Sequence, residues 1–247
     1  MYVLYARQYC NANCQRNHWK KLKKVCKRRA AELRDEALFK DPPPKEDCPI
    51  CFLPMPFRLI CCISLPPATI TSVPIGDFAV ANDELAKRDM ETYYTCCGKS
   101  ICGGCVHSFI ISGNGGKCPF CKAEVLNITE EEANQELMQR VEANDANAMF
   151  VLANRYYDGL VGLQQNRAKA IELWKRASKL GSSLAHFQLA VHYGEGGDLM
   201  KEKLHYEAAA MAGTEVARYN LGCKEEESRD RGRAVRHWTI AASAGES

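Results

Sequence analysis

Eight cysteines in four close pairs constrain the fold of this chain more than any other feature of its sequence. The pairs are Cys48 and Cys51, Cys96 and Cys97, Cys102 and Cys105, and Cys118 and Cys121. Zinc takes four ligands in a tetrahedron, and a C-x-x-C turn directs two thiolates at the same ion. Eight thiols therefore suffice for two Zn²⁺ ions. Structural zinc contributes about 10–16 kcal/mol of apparent folding free energy, which a loop-rich segment of this size needs.

The cysteines also bear on the cellular compartment. Fourteen of the 247 residues are cysteine, and no apolar stretch near Met1 is long enough for a signal peptide. Residues 59–76 carry no charge, but Pro66, Pro67 and Pro74 argue against a spanning helix. Cysteines of proteins without export signals usually stay reduced. We therefore expect a soluble intracellular protein, cytoplasmic or nuclear, that binds metal through its cysteines and does not contact a membrane.

The first 41 residues form a basic segment. Residues 1–40 contain eleven Lys or Arg against three acidic residues, whereas the whole chain carries a formal charge of +3. From 15 to 39 the segment lacks Pro and Gly, and its apolar residues trace one helical stripe. Three prolines at 42–44 end this predicted helix, because proline lacks an amide donor. Aromatic residues are scarce over 16–34 and no base-reading module is evident, so we expect a solvated helix and no nucleic-acid partner.

The C-terminal part of the chain repeats itself. The phrase L-[AG]-x-x-Y-x-x-G occurs at 152–159 and 189–196, with a weaker copy at 221–228. A second helical block follows each copy and ends at a glycine, and successive glycines lie 32 residues apart. These glycines are Gly181, Gly213 and Gly245. One such helix pair cannot bury its apolar face alone, so neighbouring pairs must stack into a solenoid. Thr129 and Glu132 predict a capping box on the helix that leads into the repeats.

The repeated phrase and its spacing resemble the Sel1-like repeat, a relative of the tetratricopeptide repeat, over about residues 146–247. The resemblance implies a helical solenoid. It also implies that the repeats act as a scaffold for protein partners.

The order of the cysteine pairs resembles that of a RING-type zinc finger: one pair, a long loop, a central cluster and a final C-P-x-C pair. The cross-brace of that family implies that the first and third pairs share one zinc. It implies that the last pair shares a second zinc with ligands from the central cluster. The 44-residue interval between Cys51 and Cys96 exceeds the usual first loop of the family. Within this interval, Cys61 and Cys62 are more consistent with small buried apolar residues than with ligands.

The ligand set of the second zinc has two alternatives. The RING family has a ligand histidine where this chain has Lys99, and a protonated lysine cannot ligate. Either Cys96 and Cys97 both bind, as in RING variants that use only cysteine, or His107 supplies the missing ligand. We favour the adjacent cysteines, because Cys97 precedes Cys102 by five residues, as the corresponding thiol does in those variants.

The RING resemblance implies ubiquitin ligation without a catalytic residue in the chain itself. Such domains bind a ubiquitin-conjugating enzyme and hold its thioester ready for attack by a substrate lysine, which is catalysis by positioning. Three positions match the family's contacts with the conjugating enzyme and ubiquitin: Ile50 between the first two cysteines, Pro119 inside the last pair, and Lys122 directly after it. The alternative is a non-enzymatic adaptor, in which zinc only stabilises a small domain that docks onto partners.

The N-terminal cysteines resemble part of a MYND finger. Cys10, Cys14 and Cys26 fall at ligand positions of that family's second half, but Leu22 stands where its ligand histidine lies. The two earlier C-x-x-C pairs of a MYND finger do not occur in the sequence. The resemblance implies a truncated or degenerate finger that completes neither of its zinc sites.

The sequence thus predicts three parts. Residues 1–41 form a basic helix with a partial MYND-like pattern, and 45–124 form a small zinc-stapled α+β domain of RING type. Residues 128–247 form an all-α solenoid of Sel1 or tetratricopeptide type.

Overall fold

The computed structural model describes residues 19–53, 55, 91–125 and 128–245. The chain divides into two compact units, Met1–Asp41 and Pro42–Ser247. Four cysteines discussed above lie outside the described residues: Cys10, Cys14, Cys61 and Cys62. In the part of the chain that the structure describes, no helix is both long enough and apolar enough to cross a membrane.

A single helix, α1, Trp19–Leu38, occupies most of the described part of the first unit. It lies within the segment predicted to be helical and ends before the three prolines. On its exposed surface, Arg29 Nη1 lies 3.1 Å from Glu32 Oε2 and 3.2 Å from Glu36 Oε1. Exposed ion pairs of this kind contribute little to stability, because water and salt screen them.

Short elements joined by loops form the cysteine-rich region of the second unit. Strand β1, Glu91–Tyr94, pairs antiparallel with strand β2, Lys99–Cys102. Helix α2, Gly103–Phe109, follows at once and continues as a π-helical turn, Ile110–Asn114. A small core lies between these elements. Its buried members are Cys48, Tyr94, Ile101, Val106, Cys118 and Val125. The burial free energy of so small a core is low compared with the conformational entropy that the loops lose on folding. This region would therefore be stabilised by a bound metal.

Helices α3–α9 follow the cysteine-rich region. Their bounds are α3, Glu130–Glu142; α4, Ala146–Asp158; α5, Arg167–Lys179; α6, Ser183–Glu195; α7, Leu199–Met211; α8, Glu215–Glu227; and α9, Arg231–Gly245. Each helix packs against the one before it and the one after it, and the closest packing is within the pairs α4–α5, α6–α7 and α8–α9. This confirms the predicted helical solenoid. The predicted capping box is also present, because Thr129 and Glu132 bond each other's backbone N–H at the start of α3.

Polar caps recur at the repeat interval. Asn166, Asp198 and Asp230 lie 32 residues apart, and each accepts a hydrogen bond from the backbone N–H three residues later. A cap of this kind satisfies a helix N–H that has no partner within the helix, and is worth about 1 kcal/mol. The second helix of each pair therefore begins at an equivalent position in all three repeats.

Buried charges connect the second and third helix pairs. Glu202 of α7 lies 2.8 Å from Lys224 of α8. Glu225 of α8 lies 2.8 Å from Lys203 of α7 and 3.2 Å from Arg233 of α9. Burial alone would raise the pKa of Glu225, but these two cations hold it below its usual value. The neighbouring pairs are thus joined by charged contacts as well as by apolar packing.

The aromatic residue of the second helix packs differently in the first and third pairs. Trp174 is buried, and its Nε1 donates to Asn154 Oδ1 at 3.0 Å. Trp238 is only half-buried, and its Nε1 lies against the carbonyl oxygen of Tyr219 at 3.3 Å. In this arrangement a Cβ on Gly222 would overlap the Trp238 indole ring. The first two repeats have alanine where the third has Gly222.

We expect Gly222→Ala to destabilise the third helix pair by about 1–3 kcal/mol, because the added methyl group displaces Trp238. In a Trp238→Ala background, the same substitution should be neutral or stabilising by up to about 1 kcal/mol, because alanine is the better helix former. Urea unfolding of the four chains of this double-mutant cycle measures both effects. The explanation is wrong if Gly222→Ala has the same effect in both backgrounds.

Candidate metal centres

Two groups of four thiols converge in the cysteine-rich region. The first group contains Cys48, Cys51, Cys102 and Cys105, and the second contains Cys96, Cys97, Cys118 and Cys121. The structure thus brings all eight predicted cysteines together, in two groups. All eight are free thiols and none forms a disulfide. The described residues contain no other such group of three or more Cys, His, Asp or Glu side chains, and His107 belongs to neither.

Local backbone structure positions the thiols of both groups. In the first group, the 48–51 turn faces the end of β2 and the first turn of α2, which carry the other two cysteines. The turn is closed by the Cys48 N–H, which donates to the Leu53 carbonyl at 2.8 Å, and by the Phe52 N–H, which donates to the Cys48 carbonyl at 2.9 Å. In the second group, the β1–β2 turn provides two adjacent thiols. The 118–121 turn provides the other two and is closed in the same way, by the Cys118 N–H and the Ala123 carbonyl at 2.8 Å.

The sulfur separations suit a tetrahedral metal. In the first group, the Cys48–Cys105 and Cys51–Cys102 sulfurs are each 3.8 Å apart. In the second group, the corresponding separations are 3.6 Å for Cys97–Cys118 and 3.4 Å for Cys96–Cys121. Four sulfurs at about 2.3 Å from a central zinc lie about 3.8 Å from one another. Both groups can hold a metal ion of this kind, and the second is slightly more compact.

Backbone N–H groups around the sulfurs favour the thiolate form. Burial would raise the pKa of Cys48, but N–H groups of Cys102, Cys51 and Ile50 donate to its sulfur and lower its pKa to about 6. The N–H of Ala123 likewise lowers the pKa of Cys121. Hydrogen bonds of this kind orient the ligands of metal sites and stabilise their charge.

Other thiols in the same groups are held in the neutral form. Burial and the neighbouring thiols raise the pKa values of Cys96 and Cys105. Four thiolates packed this closely repel one another, and a bound cation removes that repulsion. The donor set and its electrostatics therefore fit a soft divalent metal.

Lys99 is accommodated without serving as a ligand. Its backbone N–H donates to the Cys97 sulfur, where it opposes the rise in the thiol's pKa that burial causes. Its Nζ lies 4.8 Å from the centre of the Phe120 ring, a cation–π distance. The Phe120 ring in turn makes an edge contact with Tyr94. Lys99 thus supports the second group through its backbone and packs its side chain beside it.

The three predicted contact positions lie close to the metal groups in the chain. Ile50 is 40% exposed. Lys122 has a left-handed backbone conformation, with φ of 62°, and its Nζ donates to the Pro119 carbonyl at 3.0 Å. Phe52 and Leu53, at 76% and 64% exposed, add apolar surface next to Ile50 in the chain. Phe52 and Leu53 are not among the predicted contact positions, although both directly follow the first pair.

Comparison with known proteins identifies the helical region. The family model for the Sel1 repeat matches residues 146–182 and 216–246, which are the first and third helix pairs. The weaker third copy of the repeated phrase, at 221–228, lies inside the second matched segment. The second copy, at 189–196, lies outside both matched segments. The structure nevertheless forms the same helix pair there, α6–α7. No RING or MYND family match was found, and no curated protein matches the chain.

Several solved structures are similar to the chain, and three of them follow. A Sel1 repeat protein from Oxalobacter formigenes is 32% identical, with 45% of this chain and 89% of that chain covered and a TM-score of 0.42. The protein c5321, a protective antigen of uropathogenic Escherichia coli strains with an SLR fold, is 20% identical, with coverages of 56% and 29% and a TM-score of 0.44. MamA is 18% identical, with coverages of 57% and 74% and a TM-score of 0.36.

Proposed function

We propose that this chain, whose residues 146–182 and 216–246 are Sel1 repeats, is a zinc-binding RING-type ubiquitin ligase whose repeats bind the substrate. Sel1 repeats are protein-interaction modules, so the solenoid is the part that selects a protein partner. The cysteine-rich part, 45–124, is the platform that receives a ubiquitin-conjugating enzyme. Its reduced thiols suit the cytoplasm or the nucleus.

The proposal rests on how the four cysteine pairs are distributed between the two groups. The first pair in the chain joins the third, and the second joins the fourth. The two groups therefore interleave along the chain, as in the RING cross-brace. Two successive zinc fingers would instead group neighbouring pairs. An interleaved arrangement ties four separate chain segments into one rigid surface, which is what a docking platform requires.

Zinc is the metal that the two groups fit best. All eight donors are sulfurs, the separations suit a tetrahedron, and soft thiolates select zinc or iron–sulfur clusters among the common metals. Each group is sized for one ion, because no pair of ligand atoms within it is more than 4.8 Å apart. When bound, zinc supplies folding free energy and holds the surface in shape.

The platform acts by positioning. In this proposal, Ile50 packs on the conjugating enzyme, and the Pro119 turn shapes the other side of the docking site. Lys122 exchanges its bond with the Pro119 carbonyl for contacts with ubiquitin and the enzyme. The substrate lysine, held near by the solenoid, attacks the thioester. Holding two reactants together raises their effective concentration, and no group of this chain enters the reaction.

An autoubiquitination assay with a panel of conjugating enzymes tests the proposal. The zinc-loaded wild type should form ubiquitin chains, and Ile50→Ala should reduce chain formation by about tenfold or more, as truncation of an apolar anchor does. Lys122→Ala should lower the rate, whereas Lys122→Arg should retain most of it. Leu199→Ala is the matched control, because Leu199 is also an exposed apolar residue, at 66%, but lies in the solenoid.

The opposite outcome would support the adaptor. If the wild type binds two zinc ions, keeps its fold and forms no chains with any enzyme of the panel, the ligase proposal is wrong. The matched Sel1 repeats are compatible with both candidates. In that case the cysteine-rich part only stabilises a docking module beside the repeats.

A further inference from the structure

The hairpin that carries Cys96 and Cys97 is bonded directly to the start of the solenoid. The Tyr93 hydroxyl, on β1, donates to the Asp145 carboxylate at 2.6 Å. Asp145 is also the N-cap of α4, where its other oxygen accepts from the N–H groups of Asn147 and Ala148. One carboxylate thus serves both the hairpin and the first repeat helix.

Thr95, just before the two cysteines, is hydrogen-bonded to α3 through both its hydroxyl group and its carbonyl group. The Thr95 hydroxyl donates to the Glu136 carboxylate of α3, at 2.5 Å. The Thr95 carbonyl accepts a hydrogen bond from Arg140 Nε of the same helix. Arg140 also lies 3.8 Å from the Asp145 carboxylate, and both of these side chains are mostly buried. A partly buried, charge-assisted bond to the backbone is among the stronger contacts that fix one element on another.

The turn itself leaves room for this contact. Gly98, directly after the cysteines, has a φ of 71°, and a Cβ there would overlap the Arg140 guanidinium group and approach the Asp145 carboxylate at 2.9 Å. Only glycine combines that backbone conformation with that close approach at low cost. The Tyr93 ring also packs against the apolar core of the first repeat. The chain on both sides of the two adjacent cysteines therefore contacts α3 and the start of α4.

We propose that Arg140, with Tyr93 and Thr95, couples metal binding at the second cysteine group to the position of α3 and the N-terminus of α4. A metal on Cys96 and Cys97 fixes the β1–β2 turn. That turn positions Arg140, because the Thr95 carbonyl accepts its hydrogen bond and Gly98 leaves space for its guanidinium group. The platform and the first repeat then move as one body. This inference rests on the proposed metal binding, and it would hold in a ligase and in an adaptor alike.

Coupling has a directional consequence. Only the second group has ligands on the β1–β2 turn, which contacts α3 and the start of α4. The first group is built from the 48–51 turn, the end of β2 and α2. Loss of the second metal should therefore loosen α3 and the start of α4. Loss of the first metal should not have this effect. For a ligase, the fixed position of the platform would set how far a repeat-bound substrate lies from the conjugating enzyme.

Hydrogen exchange measured by mass spectrometry on the full chain tests this inference. Compared with the zinc-loaded wild type, Cys97→Ser should speed amide exchange in 130–148 by about tenfold or more, because local opening becomes less costly. Cys51→Ser should leave exchange there within about twofold of wild type. In an Arg140→Ala background, where exchange in 130–148 is already raised, Cys97→Ser should add little. Tyr93→Phe removes only the hydroxyl group and should give a smaller rise without loss of fold.

Two results would overturn the inference. One is unchanged exchange in 130–148 when Cys97→Ser has lost its metal. The other is an equal response to Cys51→Ser and Cys97→Ser. Lys203→Ala, which removes an ion pair between α7 and α8, controls for general loosening of the solenoid and should leave this segment unchanged. The zinc content of the wild type, measured in parallel, separates the two failures: without a second zinc, the proposed metal binding itself is wrong.

Discussion

Cys118→Ser is expected to release one of two bound zinc ions and to unfold the chain segments that carry the second cysteine group. Cys118 is fully buried, and its sulfur is 3.6 Å from that of Cys97. A serine oxygen is a poor zinc ligand, so the second group is left with three thiols. A structural zinc contributes about 10–16 kcal/mol of apparent folding free energy, more than the small apolar core can replace. Helices α5–α9 should remain folded, because their core does not include these cysteines.

Native mass spectrometry and circular dichroism measure this outcome. The variant should carry one zinc, lose a low-temperature unfolding step and keep most of its helical signal. Cys223→Ser is the matched control: Cys223 is a partly buried cysteine of α8 outside both groups, and this variant should keep two zinc ions. A Cys118→Ser chain that retains two zinc ions would show that the second group is not the ligand set.

The two adjacent cysteines allow a sharper version of this test. Cys96→Ser and Cys97→Ser should each lose one zinc, because each removes one of four ligands from the second group. If only one of the two substitutions has this effect, the other cysteine is not a ligand, and His107 becomes the alternative.

The second large effect is expected in the solenoid. Trp174→Ala should destabilise the solenoid by about 3–5 kcal/mol, the usual cost of truncating a buried tryptophan. Trp174 is 2% exposed and packs on Tyr157 at a ring-centroid distance of 5.0 Å. Its Nε1 donates to Oδ1 of the buried Asn154. Its removal therefore leaves both a cavity and an unsatisfied amide oxygen.

Trp238 provides the internal comparison, because it occupies the equivalent position 64 residues later and is only half-buried. Trp238→Ala should cost about half as much or less, since water already covers part of the ring. Urea unfolding of both variants, followed by circular dichroism, gives the two free energies. Equal costs would mean that the two repeats pack alike, contrary to the structure.

The elements with local signals could be predicted from the sequence. Apolar spacing and the glycine interval predicted the helix pairs, and Thr129 with Glu132 predicted the capping box. Spacing could also predict that the two thiols of each C-x-x-C turn face the same ion. Which pairs meet in one group was implied by the resemblance to the RING cross-brace and not by spacing. The 32-residue interval of Asn166, Asp198 and Asp230 was a signal for caps that the sequence analysis did not use.

Contacts between distant segments could not be predicted in this way. The bond between Arg140 and Thr95 joins residues 45 positions apart, and neither residue type is unusual at its site. Whether Gly222 faces an indole ring depends on the crossing of two helices, which a repeat phrase does not specify. The contacts of Lys99 could not be predicted either: its backbone N–H donates to the Cys97 sulfur while its side chain packs on Phe120.

X-ray absorption at the zinc edge, on the zinc-loaded wild-type chain, tests the central claim most directly. Two all-cysteine centres predict four sulfur neighbours per zinc at about 2.3 Å and no nitrogen neighbour. A histidine ligand in either centre would add nitrogen at about 2.0–2.1 Å and lower the average number of sulfurs. Four sulfurs with two zinc ions per chain would support the two all-cysteine centres, and a nitrogen contribution or a single zinc would contradict them.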